Sequence, residues 1–288
     1  MKFLNFSQGE QRGLAVLDGQ GFRGLMSTDA GFPGTLHSLL EKLEKGPQAL
    51  SQAADALRKG PAIDLGKITY LPPIENPGRI WCIGLNYADH SAESGFAVPT
   101  YPAIFSRFSS SMIGHNAPIV RPRVSTHLDY EGELVAIIGK AGRYIAKDKA
   151  QEHVAGYSIC NDASIRDYQM KSAQWTIGKN FDGTGPFGPV FVTSDELPPG
   201  ATGLKIQTRL NGVVVQDAST ASLIFDVATL VSQLSEAVNL QPGDVIVTGT
   251  PSGVGLARKP PLWMKHGDVC EVEIEGIGIL RSPIVDEK

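Results

Sequence analysis

The sequence predicts an α+β protein that is rich in β-strands and carries a small α+β domain at its N-terminus. Short runs of apolar and β-branched residues, bounded by turn residues, recur along most of the chain and are typical of strands. The 32 glycines and 19 prolines supply the turns that many short strands require. Apolar residues at helical spacing are found chiefly in two segments before residue 60 and in one near residue 230. These observations define the predicted fold class.

Residues 1–70 are predicted to form the small N-terminal domain. They begin with a β unit in which residues 13–17 and 22–25 are strands. The Asp18-Gly19 pair between them is a strong signal for a hairpin turn. The N-terminus is therefore expected to open with a β-hairpin.

Two helices are predicted next, over residues 36–43 and 50–57, where leucines and alanines recur at helical spacing. The second helix is expected to end at Lys59-Gly60-Pro61, because glycine and proline commonly stop helices. The stiff, turn-rich segment 71–78 is interpreted as a linker. The second, larger domain is accordingly placed at residues 71–288.

The second domain is predicted to consist mainly of strands. Asn211-Gly212 is the clearest signal for a type I′ hairpin in the chain. One long helix is expected over residues 223–238, where apolar residues form a single stripe. The predicted strands are 80–85, 103–105, 134–138, 156–160, 190–193, 205–210, 213–216, 244–248, 269–274 and 278–281.

An acidic segment precedes one of the buried strands. Asp129, Glu131 and Glu133 occupy alternate positions, so on a strand they would share one face about 6 to 7 Å apart. Carboxylates repel one another, and burying them is costly unless a positive charge lies among them. A hard divalent cation would provide that charge. The alternative is a strand end whose acids face water, and periodicity alone does not decide between the two.

His90 and Glu93 are three residues apart and would share one face of a short helix. A carboxylate beside an imidazole fixes its tautomer and favours its action as a general base on water. The alternative is an ordinary surface pair in a polar loop.

Three further charged residues could contribute to a site. Asp162 follows a predicted strand, where it could serve a function or only cap a helix. Lys179 lies in a glycine- and proline-rich loop and could equally be solvated. Arg107 lies between two aromatic residues and could bind a substrate carboxylate, although a surface arginine is the common case. The glycine-rich segment 247–255 lacks the spacing of nucleotide-binding loops and offers backbone N–H groups to an anion.

Composition excludes several classes of partner. The net charge is −4, and no cluster of lysine and arginine marks a nucleic-acid footprint. No apolar stretch approaches the roughly 18 residues of a membrane span, and residues 1–6 lack the features of a signal peptide. The three cysteines have no CxxC spacing and lie in largely apolar sequence, as expected for buried thiols in a reducing compartment. We predict a cytoplasmic protein that binds neither nucleic acid nor membranes.

Five ordered motifs resemble the fumarylacetoacetate hydrolase superfamily, in particular its bacterial branch of 2,4-dioxo acid hydrolases and ureidoglycolate lyase-like enzymes. The resemblance covers the chain from about residue 70 to the C-terminus and is specific for the superfamily rather than for a substrate. The motifs are Asn86-Tyr87-Ala88-Asp89-His90, Asp129-Tyr130-Glu131-Gly132-Glu133-Leu134, Asn161-Asp162 with Arg166-Asp167, Gly178-Lys179-Asn180-Phe181-Asp182, and the segment 243–255.

The resemblance implies a mixed β-roll catalytic domain that usually forms homodimers and binds Mg²⁺ or Mn²⁺. The metal ligands that it implies are Glu131, Glu133 and Asp162, with Asp129 a neighbour and not a ligand. His90 and Glu93 would activate water on a lid that closes over the ligand. The other implied roles are stabilisation of oxyanion charge by Lys179 and substrate contacts by Gln169 and Thr250.

The expected function is metal-dependent hydrolysis of a C–C bond in a 2,4-dioxo acid, such as an acylpyruvate or a diketo sugar acid. Three carboxylates suit a hard cation with open positions, to which a 2-oxo acid could chelate. The main alternative keeps the metal site and changes the reaction to decarboxylation or tautomerisation of oxaloacetate-like acids, or to a ureidoglycolate lyase-like reaction. A non-catalytic ligand-binding protein is the third possibility.

Overall fold

Two sheets organise the computed structural model, which describes residues 1–44, 46, 48–93, 95 and 97–288. The strands of this part are β1 (Lys2–Gln8), β2 (Gln11–Asp18), β3 (Gly21–Met26), β4 (Thr69–Tyr70), β5 (Ile80–Gly84), β6 (Ala103–Ser106), β7 (Met112–Ile113), β8 (Ile119–Arg121), β9 (Leu128–Asp129), β10 (Gly132–Ile138), β11 (Val154–Asn161), β12 (Ser164–Ile165), β13 (Gly185–Thr193), β14 (Lys205–Leu210), β15 (Val213–Ser219), β16 (Val245–Val247), β17 (Val269–Ile274) and β18 (Gly278–Asp286). The helices are α1 (Leu36–Lys42), α2 (Ala49–Arg58), α3 (Ala88–Glu93), α4 (Arg166–Gln169), α5 (Thr176–Lys179) and α6 (Val227–Ala237).

The larger sheet has eleven strands among the described residues, and its central order is β3-β2-β1-β13-β11-β10-β16-β5-β6. The smaller sheet has the order β15-β14-β17-β18-β8. Both sheets are mixed, because β16 pairs in parallel with β5 and β18 pairs in parallel with β8, while most other pairs are antiparallel. The predicted strand-rich α+β class is confirmed. Within the described residues, none of the helices has the length and hydrophobicity needed to cross a membrane.

The N-terminal strands extend the larger sheet. β1 runs antiparallel to β13, with Phe3 opposite Phe191, and the predicted hairpin forms between β2 and β3. Leu39 of α1 and Leu57 of α2 pack into the same apolar core as those two phenylalanines. The division of the chain at residue 70 stays a prediction, which separate expression of residues 71–288 would test.

Two predicted elements begin well away from the expected residues. β13 begins at Gly185 and not near Val190, so a glycine- and proline-rich segment that we expected to be irregular is partly strand. α6 begins at Val227, because the carboxylate of Asp226 accepts a hydrogen bond from Thr229 N at 2.8 Å and caps the helix there. The residues just before Asp226 therefore lie outside the helix.

The centre of the larger sheet brings four strand ends to one edge. β10 runs antiparallel to both β11 and β16, with Glu133 opposite Cys160 and Val135 opposite Val247. The N-terminal end of β10 therefore lies beside the C-terminal ends of β11 and β16. Because β5 runs parallel to β16, its C-terminal end reaches the same edge. Residues from four distant parts of the chain meet here.

Candidate active site

Three buried carboxylates form a cluster at this edge of the sheet. Ligand atoms of Glu131, Glu133 and Asp162 all lie within 4.8 Å of one another. Glu133 is the second residue of β10, Glu131 directly precedes that strand, and Asp162 directly follows β11. The antiparallel pairing of β10 and β11 thus joins acids that are about thirty positions apart in the sequence.

Asp129 is separated from the cluster. It belongs to β9, which pairs with β12, so the chain does not run as one regular strand from Asp129 to Glu133. Its carboxylate accepts hydrogen bonds from Gly255 N at 2.7 Å, from Leu256 N at 2.9 Å and from Arg166 Nε at 2.8 Å. Asp129 therefore holds the glycine-rich segment and Arg166 in place.

Two cations lie among the acids. The Lys179 ammonium bonds to Glu131 Oε2 at 2.5 Å and to Asp162 Oδ2 at 2.6 Å, and Arg166 Nη1 lies 2.7 Å from Glu131 Oε1. Burial disfavours the charged ammonium, yet the Asp162 and Glu131 carboxylates raise the pKa of Lys179 above its usual value. Burial also opposes ionisation of Glu131, but Arg166 and Lys179 lower its pKa to about 2. Lys179 and Glu131 are thus both charged at neutral pH.

Glu133 is the acid of the cluster with the weakest compensation. Its side chain accepts a hydrogen bond from Gly249 N, and among the described residues it has no ion pair. Burial, together with repulsion from Asp162 and Glu131, raises the pKa of Glu133 well above its usual value. A hard cation among these oxygens would relieve that repulsion, so the donor set fits a divalent metal ion.

The predicted pair of His90 and Glu93 forms on α3. His90 Nδ1 lies 2.9 Å from Glu93 Oε1, and both carboxylate oxygens of Glu93 accept from Gly253 N at 3.1 and 2.9 Å. The carboxylate is thereby held by the backbone while it orients the imidazole, whose Nε2 atom stays available for proton exchange. The closure of the predicted lid, on which His90 and Glu93 lie, stays a prediction.

A cavity of about 230 Å³ connects these groups. His90, Glu131, Glu133 and Lys179 line it, together with Gln169 and Thr250. The Gln169 carbonyl accepts from Arg166 Nη1 at 2.9 Å, and within the described residues its amide nitrogen has no partner. The Thr250 hydroxyl donates to Gly132 O and accepts from Gln216 Nε2, so its proton is already engaged within the protein. Of these two predicted substrate contacts, Gln169 is the one whose side chain keeps a donor without a partner among the described residues.

Arg107 does not line the cavity that the described residues form, in contrast to its predicted substrate contact. It is 2% exposed, and its guanidinium donates to Asp162 Oδ1 at 2.6 Å, to Ala163 O and to Thr184 Oγ1. The sequence could not show this, because an arginine between aromatic residues gives no sign of a carboxylate 55 positions away. Arg107 lies behind Asp162 and fixes one of its oxygens.

Replacing Arg107 with leucine is expected to lower the free energy of unfolding by about 3 to 5 kcal/mol, because the buried Asp162 carboxylate loses one of its two ionic partners among the described residues. Arg121→Leu is the control, since Arg121 pairs with Asp286, whose side chain is 47% exposed. That change should cost at most about 1 kcal/mol. Urea unfolding of both variants measures the difference, and equal costs would contradict the structural role of Arg107.

Arg166 is a charged cavity residue to which we assigned no role from the sequence. It lines the cavity, is 5% exposed, and its Nη2 atom has no hydrogen-bond partner among the described residues. A buried guanidinium with an unused donor is suited to an anionic group of a ligand. Its position three residues before Gln169 on α4 was the available signal, because such residues share a helix face.

A cavity lined by Glu131, Glu133, Lys179 and the oriented His90 is the arrangement of an enzyme. The two glutamates and the neighbouring Asp162 together fit a divalent cation. The chain belongs to the fumarylacetoacetate hydrolase family: residues 79–285 match the family described as Fumarylacetoacetate (FAA) hydrolase C-terminal.

Known relatives support this assignment and differ in the activity that they are named for. The oxaloacetate tautomerase fahd2 of Xenopus laevis, a mitochondrial protein, is 42% identical over 95% of this chain and 85% of its own length. The fumarylacetoacetate hydrolase of Exiguobacterium antarcticum has the same fold, with a TM-score of 0.87 and 36% identity over the full length of both chains. Maleylpyruvate hydrolase of Sphingobium sp. SYK-6, in complex with manganese (II) ion and pyruvate, has a TM-score of 0.81 and 25% identity, also over both full chains.

Proposed function

We propose that this protein is a divalent-metal-dependent tautomerase of oxaloacetate or a closely similar 2-oxo acid. The observation that carries the proposal is the 42% identity to an oxaloacetate tautomerase over nearly the whole chain. A cavity lined by His90, Lys179 and two of the three clustered carboxylates supports it. In this reaction a proton leaves carbon 3 of the keto form and another is delivered to the oxygen on carbon 2, so the composition does not change. Tautomerisation of an oxaloacetate-like acid, our alternative from the sequence, thus replaces C–C hydrolysis as the main proposal.

Glu131, Glu133 and Asp162 would hold the cation, with Mg²⁺ and Mn²⁺ as the candidate ions. All three offer oxygen ligands, which both ions prefer. When bound, the cation supplies a Lewis acid that polarises the carboxylate and keto oxygens of a 2-oxo acid. Arg166 pairs with Glu131 Oε1, and Lys179 pairs with Glu131 Oε2 and Asp162 Oδ2, so the two cations keep two of the three carboxylates in position.

His90 would exchange the proton at carbon 3 through Nε2. Its Nδ1 atom is engaged with Glu93, which stabilises the imidazolium that forms when the proton is taken up. Since Gly253 N holds Glu93, the pair is fixed relative to the glycine-rich segment. His90 is only 7% exposed, which restricts the access of bulk water to its imidazole.

Lys179 and Arg166 would stabilise the negative charge of the substrate. The charged ammonium of Lys179 lies beside the carboxylate cluster, where charge on the oxygen of carbon 2 would develop. Arg166 Nη2 and the amide nitrogen of Gln169 are unused donors on the same wall and suit a carboxylate of the substrate. A dicarboxylate such as oxaloacetate would use both sets of donors.

Hydrolysis of a 2,4-dioxo acid is the second candidate. The His90–Glu93 pair could equally deprotonate a water molecule, and the maleylpyruvate hydrolase with this fold carries manganese (II) and pyruvate. In that reaction water would add to the distal carbonyl and the C–C bond would break, which releases pyruvate from an acylpyruvate.

One assay separates these reactions. The ultraviolet absorbance of enol-oxaloacetate should decay faster with the Mn²⁺- or Mg²⁺-loaded protein than with the metal alone, without formation of pyruvate. Decarboxylation of oxaloacetate or hydrolysis of acetylpyruvate would both give pyruvate, which a lactate dehydrogenase assay detects. If the protein does not accelerate enol decay beyond the rate with free metal ion, the tautomerase proposal is overturned. If acetylpyruvate yields pyruvate and oxaloacetate does not, hydrolysis is favoured.

We also propose that the protein forms a homodimer and acts on a small-molecule substrate in the cytoplasm. The homodimer follows from the family resemblance, and analytical ultracentrifugation tests it. The location is open to direct test by fractionation, since the Xenopus laevis relative is a mitochondrial protein.

A further inference from the structure

The indole ring of Trp175 forms part of the cavity wall and lies directly on the backbone of Gly84. A Cβ atom at Gly84 would lie 2.3 Å from Cζ3 and 2.9 Å from Cη2 of the ring. Gly84 ends β5, and its φ lies outside the left-handed region, so the backbone conformation does not require glycine there. The close approach of the ring is therefore the reason why this position accommodates no side chain.

Contacts connect the Trp175 ring to the charged groups of the site. Phe105 meets Trp175 edge to face, with ring centroids 5.6 Å apart and an interplanar angle of 68°. The other neighbour of Phe105 is the Lys179 ammonium, whose nitrogen is 5.0 Å from the phenyl centroid. Two contacts thus connect Trp175 to Lys179, and a third connects Lys179 to the carboxylate cluster, so Trp175 belongs to the same site.

The cavity is partly apolar and small. Met170, Val254 and Leu256 line it as well, and none of them offers a hydrogen bond from its side chain. Its volume of about 230 Å³ is below the roughly 300–1,000 Å³ of pockets for drug-sized ligands. A large ring in so small a space limits the length of any molecule whose 2-oxo acid end lies at the carboxylates.

We propose that Trp175, placed on Gly84, determines substrate length and confines the site to short 2-oxo acids. This inference rests on the proposed function, because it assumes that a 2-oxo acid binds with its reactive end at Glu131, Glu133 and Asp162. An acid with a longer apolar tail would have to occupy the space of the indole ring. Removing the ring would give that tail an apolar surface of Met170 and Leu256.

The test compares two ligands that differ in length, pyruvate and 2-oxooctanoate, by calorimetry with the Mn²⁺-loaded protein. In Trp175→Ala the affinity for 2-oxooctanoate relative to pyruvate should rise by roughly 10-fold to 200-fold, the range for fitting added apolar groups into a pocket. Trp175→Phe should shift the ratio in the same direction by less, and it serves if the alanine variant does not fold. Ile177→Ala is the matched control, since Ile177 lies two residues after Trp175 on α5 but is 63% exposed and does not line the cavity.

Adding a methyl group at Gly84 tests the contact itself. Gly84→Ala should lower the melting temperature in the native background, because the ring must move away from the new Cβ atom. In the Trp175→Ala background the same change should cost little, so the two substitutions should be strongly non-additive. Equal costs in both backgrounds would show that the ring does not restrict this position.

The outcomes separate this inference from the proposed function. If Trp175→Ala and Trp175→Phe both leave the affinity ratio unchanged while the native protein tautomerises oxaloacetate, the length limit is wrong and the proposed function stands. If the native protein binds pyruvate and the ratio shifts as expected, but oxaloacetate is not tautomerised, the length limit stands and the proposed reaction is wrong.

Discussion

Replacing Glu133 with glutamine is expected to lower the metal-dependent activity by about a hundredfold or more. A neutral amide binds a divalent cation less well than a carboxylate does, and the bound cation supplies several kcal/mol of charge stabilisation as a Lewis acid. The same change should raise the melting temperature in the presence of a chelator. Burial, together with repulsion from Asp162 and Glu131, raises the pKa of Glu133. Glutamine carries no charge to be buried or repelled, and its carbonyl can still accept from Gly249 N. The measurements are enol decay with Mn²⁺ and thermal unfolding in chelator.

Glu133 is a better choice for this test than the other two acids. Within the described residues, Glu131→Gln would remove one of the two carboxylate partners from both Arg166 and Lys179. Asp162→Asn would remove the carboxylate partner of Arg107 among the described residues and one of the two partners of Lys179. Those variants are expected to lose stability along with activity. A fully active Glu133→Gln protein would show that Glu133 does not bind the metal. A variant that melts earlier than the native protein in chelator would show that Glu133 carries no uncompensated charge.

Replacing His90 with alanine is expected to lower the turnover of oxaloacetate by roughly 10²- to 10⁴-fold, the usual contribution of a positioned general base. The affinity for Mn²⁺ should stay unchanged, because His90 bonds to Glu93 and is not a member of the three-carboxylate cluster. Steady-state kinetics and a Mn²⁺ titration by calorimetry measure the two quantities on the same preparation.

Asp89→Asn is the matched control, since Asp89 precedes His90 on α3 but is exposed to solvent. It should leave both quantities unchanged. Glu93→Gln should lower turnover by less than His90→Ala, because the imidazole stays present but loses the carboxylate that orients it. Full turnover in His90→Ala would remove His90 from the mechanism and assign the proton transfer to another group.

The sequence predicted the secondary structure well where the signal is local. The Asn211-Gly212 turn forms with φ of 53° and 80° at its two residues, as a type I′ hairpin requires, and strand β17 has the predicted bounds. Both features depend on residues within a few positions of each other. The extension of β13 to Gly185 was missed, because pairing partners elsewhere in the chain override the low strand propensity of glycine and proline.

Within the site, the sequence by itself determined which residue types are present and their order, and these were sufficient to predict the family. The tertiary structure decided which of them meet. Asp129 and Glu133 alternate correctly for one face of a strand, but the chain leaves the sheet between β9 and β10, so only Glu133 joins the cluster. Arg107 supports Asp162 from behind, and Trp175 lies on Gly84, across sequence separations that no periodicity spans. A local pattern specifies a face of a strand or helix, whereas contacts between such faces arise from the pairing and packing of distant segments.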